Sequence, residues 1–140
     1  GSKPIAVVFN LGINDMANIS NYISYMSDIA STLKSKNCKL FYMSVNPINS
    51  VMITKAGKGA RTEAQVREFN SKIRSGLSLN YKYIDTYSVL MKKGYGTNSS
   101  YSGTDAASDD GLHYTTKTFK RIYYYCITYL NTGSIDASIY

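Results

Sequence analysis

At 140 residues the chain is sized for one domain whose core needs no disulfide or metal staple. Its 44% apolar and 18% charged residues exclude a disordered polymer, and no apolar run is long enough to span a membrane. The formal charge of +7 reflects scarce Asp and Glu beside scattered basic residues; it would steer anionic partners, or serve only as a solvated face.

Residues Ile5 to Phe9 (IAVVF) form a continuous β-branched and aromatic run, as expected of a strand buried on both faces of a parallel sheet. A polar, glycine-bearing turn over residues 10–15 follows. From Ile19 the apolar positions Tyr22, Ile23, Met26, Ile29, Ala30 and Leu33 fall at helical spacing, with Asn18 as the expected N-cap. Residues 39–45 (KLFYMSV) read as a second strand, stopped by Asn46 and Pro47, and residues 48–61 as a loop with Gly57, Gly59 and three basic residues. Thr62 and Gln65 have capping-box spacing ahead of a helix carrying Ala64, Val66, Phe69, Ile73 and Leu77.

Residues 81–85 (YKYID) predict a third strand, and residues 94–109 a long surface loop. The last helix starts near Thr115 or Thr116 and places Phe119, Ile122, Tyr123, Cys126, Ile127 and Leu130 on one face. The expected organisation is a domain over residues 1–133 and a tail over 134–140 draped on the surface. The alternation predicts parallel βαβ units, α/β in class. Three strands make a thin sheet, and so apolar a first strand would be an exposed edge with nothing before it. A preceding stretch of sheet is therefore expected.

Cys38 and Cys126 lie in apolar contexts and read as buried free thiols. With one histidine beside them, a closed zinc site is nearly excluded. Any chemistry needing an imidazole must use His113. Fourteen tyrosines suit stacking on sugars or bases, although most fall at helix and strand spacing and pack.

Three polar clusters map to the carboxyl ends of the strands, where open parallel sheets bind ligands: residues 12–15 (GIND), 44–47 (SVNP) and 110–113 (DGLH). A carboxylate at Asp110, with Gly111 allowing a tight turn, can accept the His113 Nδ1 proton and leave Nε2 as a general base. The plainer reading makes Asp110 a helix cap and His113 an ordinary, partly buried residue. Asn14 offers amide donors of the kind an oxyanion hole needs, or simply stabilises a turn.

In this order and on these elements, the residues 11–15 (LGIND) after a buried strand and 110–114 (DGLHY) near the last helix resemble the SGNH hydrolase family, the GDSL esterases and lipases. Residues 44–47, Phe69 with Asn70, and 83–87 (YIDTY) are similar to a bacterial branch of it, and the resemblance runs from about Ile5 to Tyr129. It implies a flavodoxin-like three-layer α/β/α fold with a parallel sheet, and serine-dependent hydrolysis of acyl or acetyl esters on carbohydrate or cell-wall material. By the same resemblance Asn14 is the oxyanion-hole asparagine, Gly12 and Asp15 shape its turn, His113 is the general base and Asp110 orients it. Asn46 and Tyr114 fall at the substrate edge. No metal or cofactor is implied.

The family's Gly-Asp-Ser nucleophile motif is missing from these 140 residues. The strand at Ile5 corresponds to the family's third, so the first two strands and the serine are expected outside this chain. They would belong to a longer parent, a complementing N-terminal fragment or a second chain; otherwise the chain is an inactive truncation. Ser44 does not have the nucleophile's role in the family, and the surroundings of Ser134 do not match its motif. A non-catalytic carbohydrate-binding or adhesion module is the alternative. Nucleic acid is not an expected partner: there is no recognition helix or zinc finger, and Gly57 to Gly59 lacks P-loop spacing. Tyrosine-rich, acid-poor loops lean toward a secreted or cell-surface bacterial protein.

Overall fold

A computed structural model describes residues 3–96 and 110–138. Three parallel strands, β1 (Ile5–Phe9), β2 (Cys38–Met43) and β3 (Lys82–Ile84), are ordered β1-β2-β3. In register, Ile5 to Phe9 lie opposite Cys38 to Tyr42, and Phe41 to Met43 opposite Lys82 to Ile84. Helix α1 (Ile19–Lys34) connects β1 to β2, while α2 (Ser50–Lys55) and α3 (Glu63–Gly76) connect β2 to β3. The chain then forms α4 (Thr86–Lys92) and α5 (Thr116–Thr132).

The period-two alternation of β2 divides the core. Leu40 and Tyr42 join Met26 and Ala30 of α1 and Val66, Phe69 and Ile73 of α3 on one face. Phe41 and Met43 join Leu90 of α4 and Ile122 and Tyr125 of α5 on the other. Helices thus flank a small parallel sheet on both faces, an arrangement compatible with a three-layer α/β/α fold. No helix among the described residues is long and apolar enough to cross a membrane.

Several elements depart from expectation. The stretch 48–61 is not all loop: Asn49 caps α2 by accepting the Met52 N–H at 3.1 Å. Asp85 caps α4 by accepting from Ser88 N–H, an element missed because it spans only seven residues. Asn18 precedes α1, but its side chain makes no capping bond. The capping box forms as expected, with Gln65 N–H to Thr62 Oγ1 at 3.2 Å and Thr62 N–H to Gln65 Oε1 at 2.9 Å.

β1 is an edge rather than a strand covered on both faces. Among the described residues it pairs only with β2, and Ile5 is 63% exposed. Tyr95, in the expected surface loop, is buried and hydrogen-bonded to Thr118 and Arg121; residues 97–109 of that loop lie outside the described residues. Cys38 and Cys126 are half-buried rather than buried, and sit in clusters on opposite faces of the sheet, which rules out a bridge between them. Past Gly133, at φ +79°, the tail turns back, with Ile135 against the α5 cluster and Asp136 N–H donating to Thr128 Oγ1 at 3.0 Å.

The exit of β2 is closed by a side chain. Buried Asn70 of α3 accepts the Val45 N–H at 2.8 Å and donates its amide to the Val45 carbonyl at 2.9 Å, as a neighbouring strand would. Asn70→Ala strands both backbone groups, and is expected to cost about 2–4 kcal/mol at two unsatisfied buried atoms. Urea unfolding measures this; a loss below about 0.5 kcal/mol would mean that water replaces the amide freely.

Candidate active site

The site is built on three chain segments that leave the carboxyl end of the sheet. At the first, Tyr42 Oη donates to the Leu11 carbonyl at 2.8 Å, and Asn10 Nδ2 donates to the Ser44 carbonyl at 2.9 Å, tying the end of β1 to the end of β2. The turn then closes with Asp15 N–H to the Gly12 carbonyl at 2.9 Å. Gly12 holds φ +113°, and a Cβ there would come within 2.4 Å of the Phe69 ring, so a side chain is excluded twice over. Asp15 acts through its backbone, its carbonyl accepting Asn18 N–H. Asn14 is exposed, and its Oδ1 accepts from the Arg61 guanidinium at 3.0 Å. With Oδ1 so engaged, the donor end of the amide, Nδ2, is turned away from Arg61.

The second segment carries Ser44, Asn46 and Ile48. Ser44 is fully buried; its Oγ accepts Tyr87 N–H at 2.8 Å and bonds Thr86 Oγ1 at 3.1 Å. It is a structural serine. Thr86 Oγ1 in turn donates to Asn46 Oδ1 at 2.5 Å, so buried Asn46 is fixed from below.

The third segment bears the histidine. Asp110 Oδ1 accepts the backbone N–H of Leu112 at 2.9 Å and of His113 at 2.8 Å, while Oδ2 faces His113 Nδ1 at 2.6 Å. One carboxylate therefore both shapes the loop and holds the ring. It does not cap α5, because Thr115 does so through Thr118 N–H. These bonds hold the Asp110 carboxyl well below the usual carboxylate range, first through the His113 backbone N–H and then through the His113 ring. Assigning the Nδ1 proton to this bond leaves Nε2 as the acceptor, on a side chain that is 70% exposed.

The loop is clamped from behind by residues 47–53. Asn49 N–H donates to the Gly111 carbonyl at 2.9 Å, and Tyr114 Oη donates to the Pro47 carbonyl. Gly111 has φ +83°, and a Cβ there would approach the Asn49 carbonyl to 2.4 Å. Burial pushes the Tyr114 phenol above its ordinary pKa, so it remains a donor, and its ring packs edge-on against Phe119 with centroids 5.9 Å apart.

Between the three segments lies a cavity of about 300 Å³. Asn10, Leu11 and Ile13 line it from the first segment; Val45, Asn46 and Ile48 from the second; Leu112, His113 and Tyr114, with Phe119, from the third. His113, Asn46 and Tyr114 thus meet at one cavity, with Asp110 directly behind His113. Asn14 does not line it, and Gly12 and Asp15 support its turn. The sequence places Asn10 and Arg61 only as turn and loop residues, without a part in the site, and does not reveal α2; the position of Asn10 directly after a strand was the available signal. Among the described residues no three His, Cys, Asp or Glu side chains cluster as metal ligands. The chain matches no protein-family model, and no curated protein matches its sequence significantly.

Because the Asp110 pKa is depressed on folding, its contribution to stability is present above the unfolded value near 4 and is lost as pH falls toward the folded value. The gap in urea midpoint between the wild type and Asp110→Asn is expected to be widest above about pH 5 and to narrow toward pH 2. A gap independent of pH would contradict the ionised Asp110–His113 arrangement. Gly111→Ala must displace either the loop or the start of α2, and should cost about 2 kcal/mol or more by the same measurement.

Proposed function

We propose that the chain is the histidine-bearing part of an SGNH-type ester hydrolase, with the serine nucleophile supplied from outside these 140 residues. The observation that carries this reading is the 2.6 Å contact of His113 Nδ1 with an Asp110 carboxylate already fixed by two backbone N–H groups, on the wall of a cavity at the carboxyl edge of a parallel sheet. The motif resemblance supports it independently. In the proposed reaction the serine hydroxyl attacks the ester carbonyl as His113 Nε2 takes its proton. Asp110 stabilises the resulting imidazolium, and the oxyanion is held by backbone N–H groups with the amide of Asn14, which follows the cavity-lining Ile13 although it does not itself line the cavity. His113 returns the proton to the departing alcohol, and water repeats the sequence on the acyl-enzyme. The substrates are acyl or acetyl esters; the rim residue Phe119, 56% exposed, offers a ring face to a carbohydrate.

That same exposed ring favours the alternative of a carbohydrate-binding module without turnover. The edge of β1 that is unpaired among the described residues is where an upstream strand bearing the serine would pair in either a longer parent or a complementing fragment. The test is esterase assay and fluorophosphonate labelling of the protein expressed with its upstream coding segment, beside its His113→Ala variant. Hydrolysis and labelling are expected in the first, with a loss of about 10³-fold or more in kcat for the variant. Undiminished activity in His113→Ala would refute the mechanism, and glycan binding without labelling would establish the binding module instead.

A further inference from the structure

The end of α2 and the loop that follows it place Lys55, Lys58 and Arg61 at intervals of three residues. Among the described residues none of the three is paired with a carboxylate, unlike Lys72 with Glu68 and Arg74 with Asp85. Lys55 and Arg61 border a groove of about 440 Å³ between α2 and residues 60–62. No carboxylate among the described residues lines it, and the neighbouring Glu63 is turned toward Gly96, where an added Cβ would meet its Oε1 at 2.3 Å.

The Arg61 guanidinium is held in place before any ligand arrives. Nη1 donates to the Lys58 carbonyl at 2.6 Å and Nη2 to Asn14 Oδ1 at 3.0 Å. Two of its five N–H groups are thus committed, and a planar fork of donors remains, the geometry that carboxylates and phosphates match. Thr62, also on the groove, accepts Gln65 N–H at its Oγ1 and so keeps its hydroxyl proton for donation. Two cations and a hydroxyl donor therefore face one groove, one hydrogen bond away from the Asn14 amide.

We propose that this groove is an anion subsite that binds a carboxylate or phosphate group carried by the substrate. The ester hydrolysed would then be one borne on an acidic rather than a neutral molecule. A substrate spanning the two sites would place its anionic group against Arg61 and Lys55 and its ester carbonyl toward Asn14 Nδ2. The substrate assignment rests on the esterase reading, whereas the anion site itself does not.

The first measurement is therefore made without turnover. The 140-residue chain is titrated with inorganic phosphate and, separately, with glucuronate, following backbone and side-chain amide resonances by NMR. Saturable shifts are expected at residues 55–62 and at the Asn14 side-chain amide, with the tighter ligand identifying which anion the groove takes. In Lys55→Gln, an exposed position where folding is not at stake, affinity should fall about tenfold, the scale of one charge-assisted hydrogen bond. In Arg61→Gln the Asn14 amide resonance should also move in the absence of ligand. No shift at 55–62 with either anion, or equal affinity in the wild type and Lys55→Gln, would overturn the subsite even if the protein proves to be an esterase. Where hydrolysis is obtained with the upstream segment present, the preference for an acetylated uronate oligosaccharide over a neutral one should fall about tenfold in Lys55→Gln.

Discussion

The two hydrogen bonds between Asn70 and Val45 hold the position from which the candidate site is suspended. β2 is the central strand; Ser44 N–H still donates to the Ile84 carbonyl at 3.0 Å, and the backbone groups of Val45 lie past the end of the short β3. The Asn70 amide supplies a donor and an acceptor in the geometry of a missing strand, and the Ser44–Thr86–Asn46 chain of hydroxyl and amide bonds fixes the residues on either side of Val45. From there the dependence runs outward. The Pro47 carbonyl accepts from Tyr114 Oη, Asn49 N–H donates to the Gly111 carbonyl, and the loop so placed sets Asp110 against His113. A buried polar network of this kind rigidifies because any unpaired member would leave an expensive group in a dry place.

This dependence explains what the sequence disclosed and what it withheld. The strands were legible as runs of apolar, β-branched and aromatic residues, as at Ile5 to Phe9 and in β2, although only β2 is buried on both faces. α1, α3 and α5 were legible because each spans several turns of apolar periodicity, and Thr62 with Gln65 announced one start. α2 and α4 have six and seven residues, too few for a period to stand out, and their caps, Asn49 and Asp85, resemble ordinary turn residues. The edge position of β1 is a property of pairing, which a hydrophobic run does not encode. For the site, Asp110 and His113 were legible because their coupling is local, over three residues. The Arg61–Asn14 contact joins residues 47 apart across a loop with no period, and no local signal marks it.

The two readings of Asp110, as turn former and as partner of the imidazole, coexist. A carboxylate has two oxygens, and here one accepts two backbone N–H groups while the other accepts the ring. The backbone bonds keep the carboxylate oriented whatever the histidine does, so the ring is presented in one tautomer without help from a ligand. The carboxylate is depressed chiefly by those local bonds.

In the proposed arrangement the free edge of β1 matters more than any single side chain. A strand paired in parallel with β1 lies about 4.8 Å from it and ends at the same edge of the sheet. A residue just past the end of such a strand falls beside Asn10 and Leu11, which already line the cavity shared with His113. By contrast, Ser134 follows the far end of α5, a 17-residue helix whose rise of about 25 Å separates it from the loop that carries His113. The sheet geometry thus gives a nucleophile one economical route to the histidine, along the exposed flank of β1. Along that flank the apolar run of β1 is poorly covered among the described residues, with Ile5 at 63% exposure, so a strand laid there would bury apolar surface as well as pair its backbone.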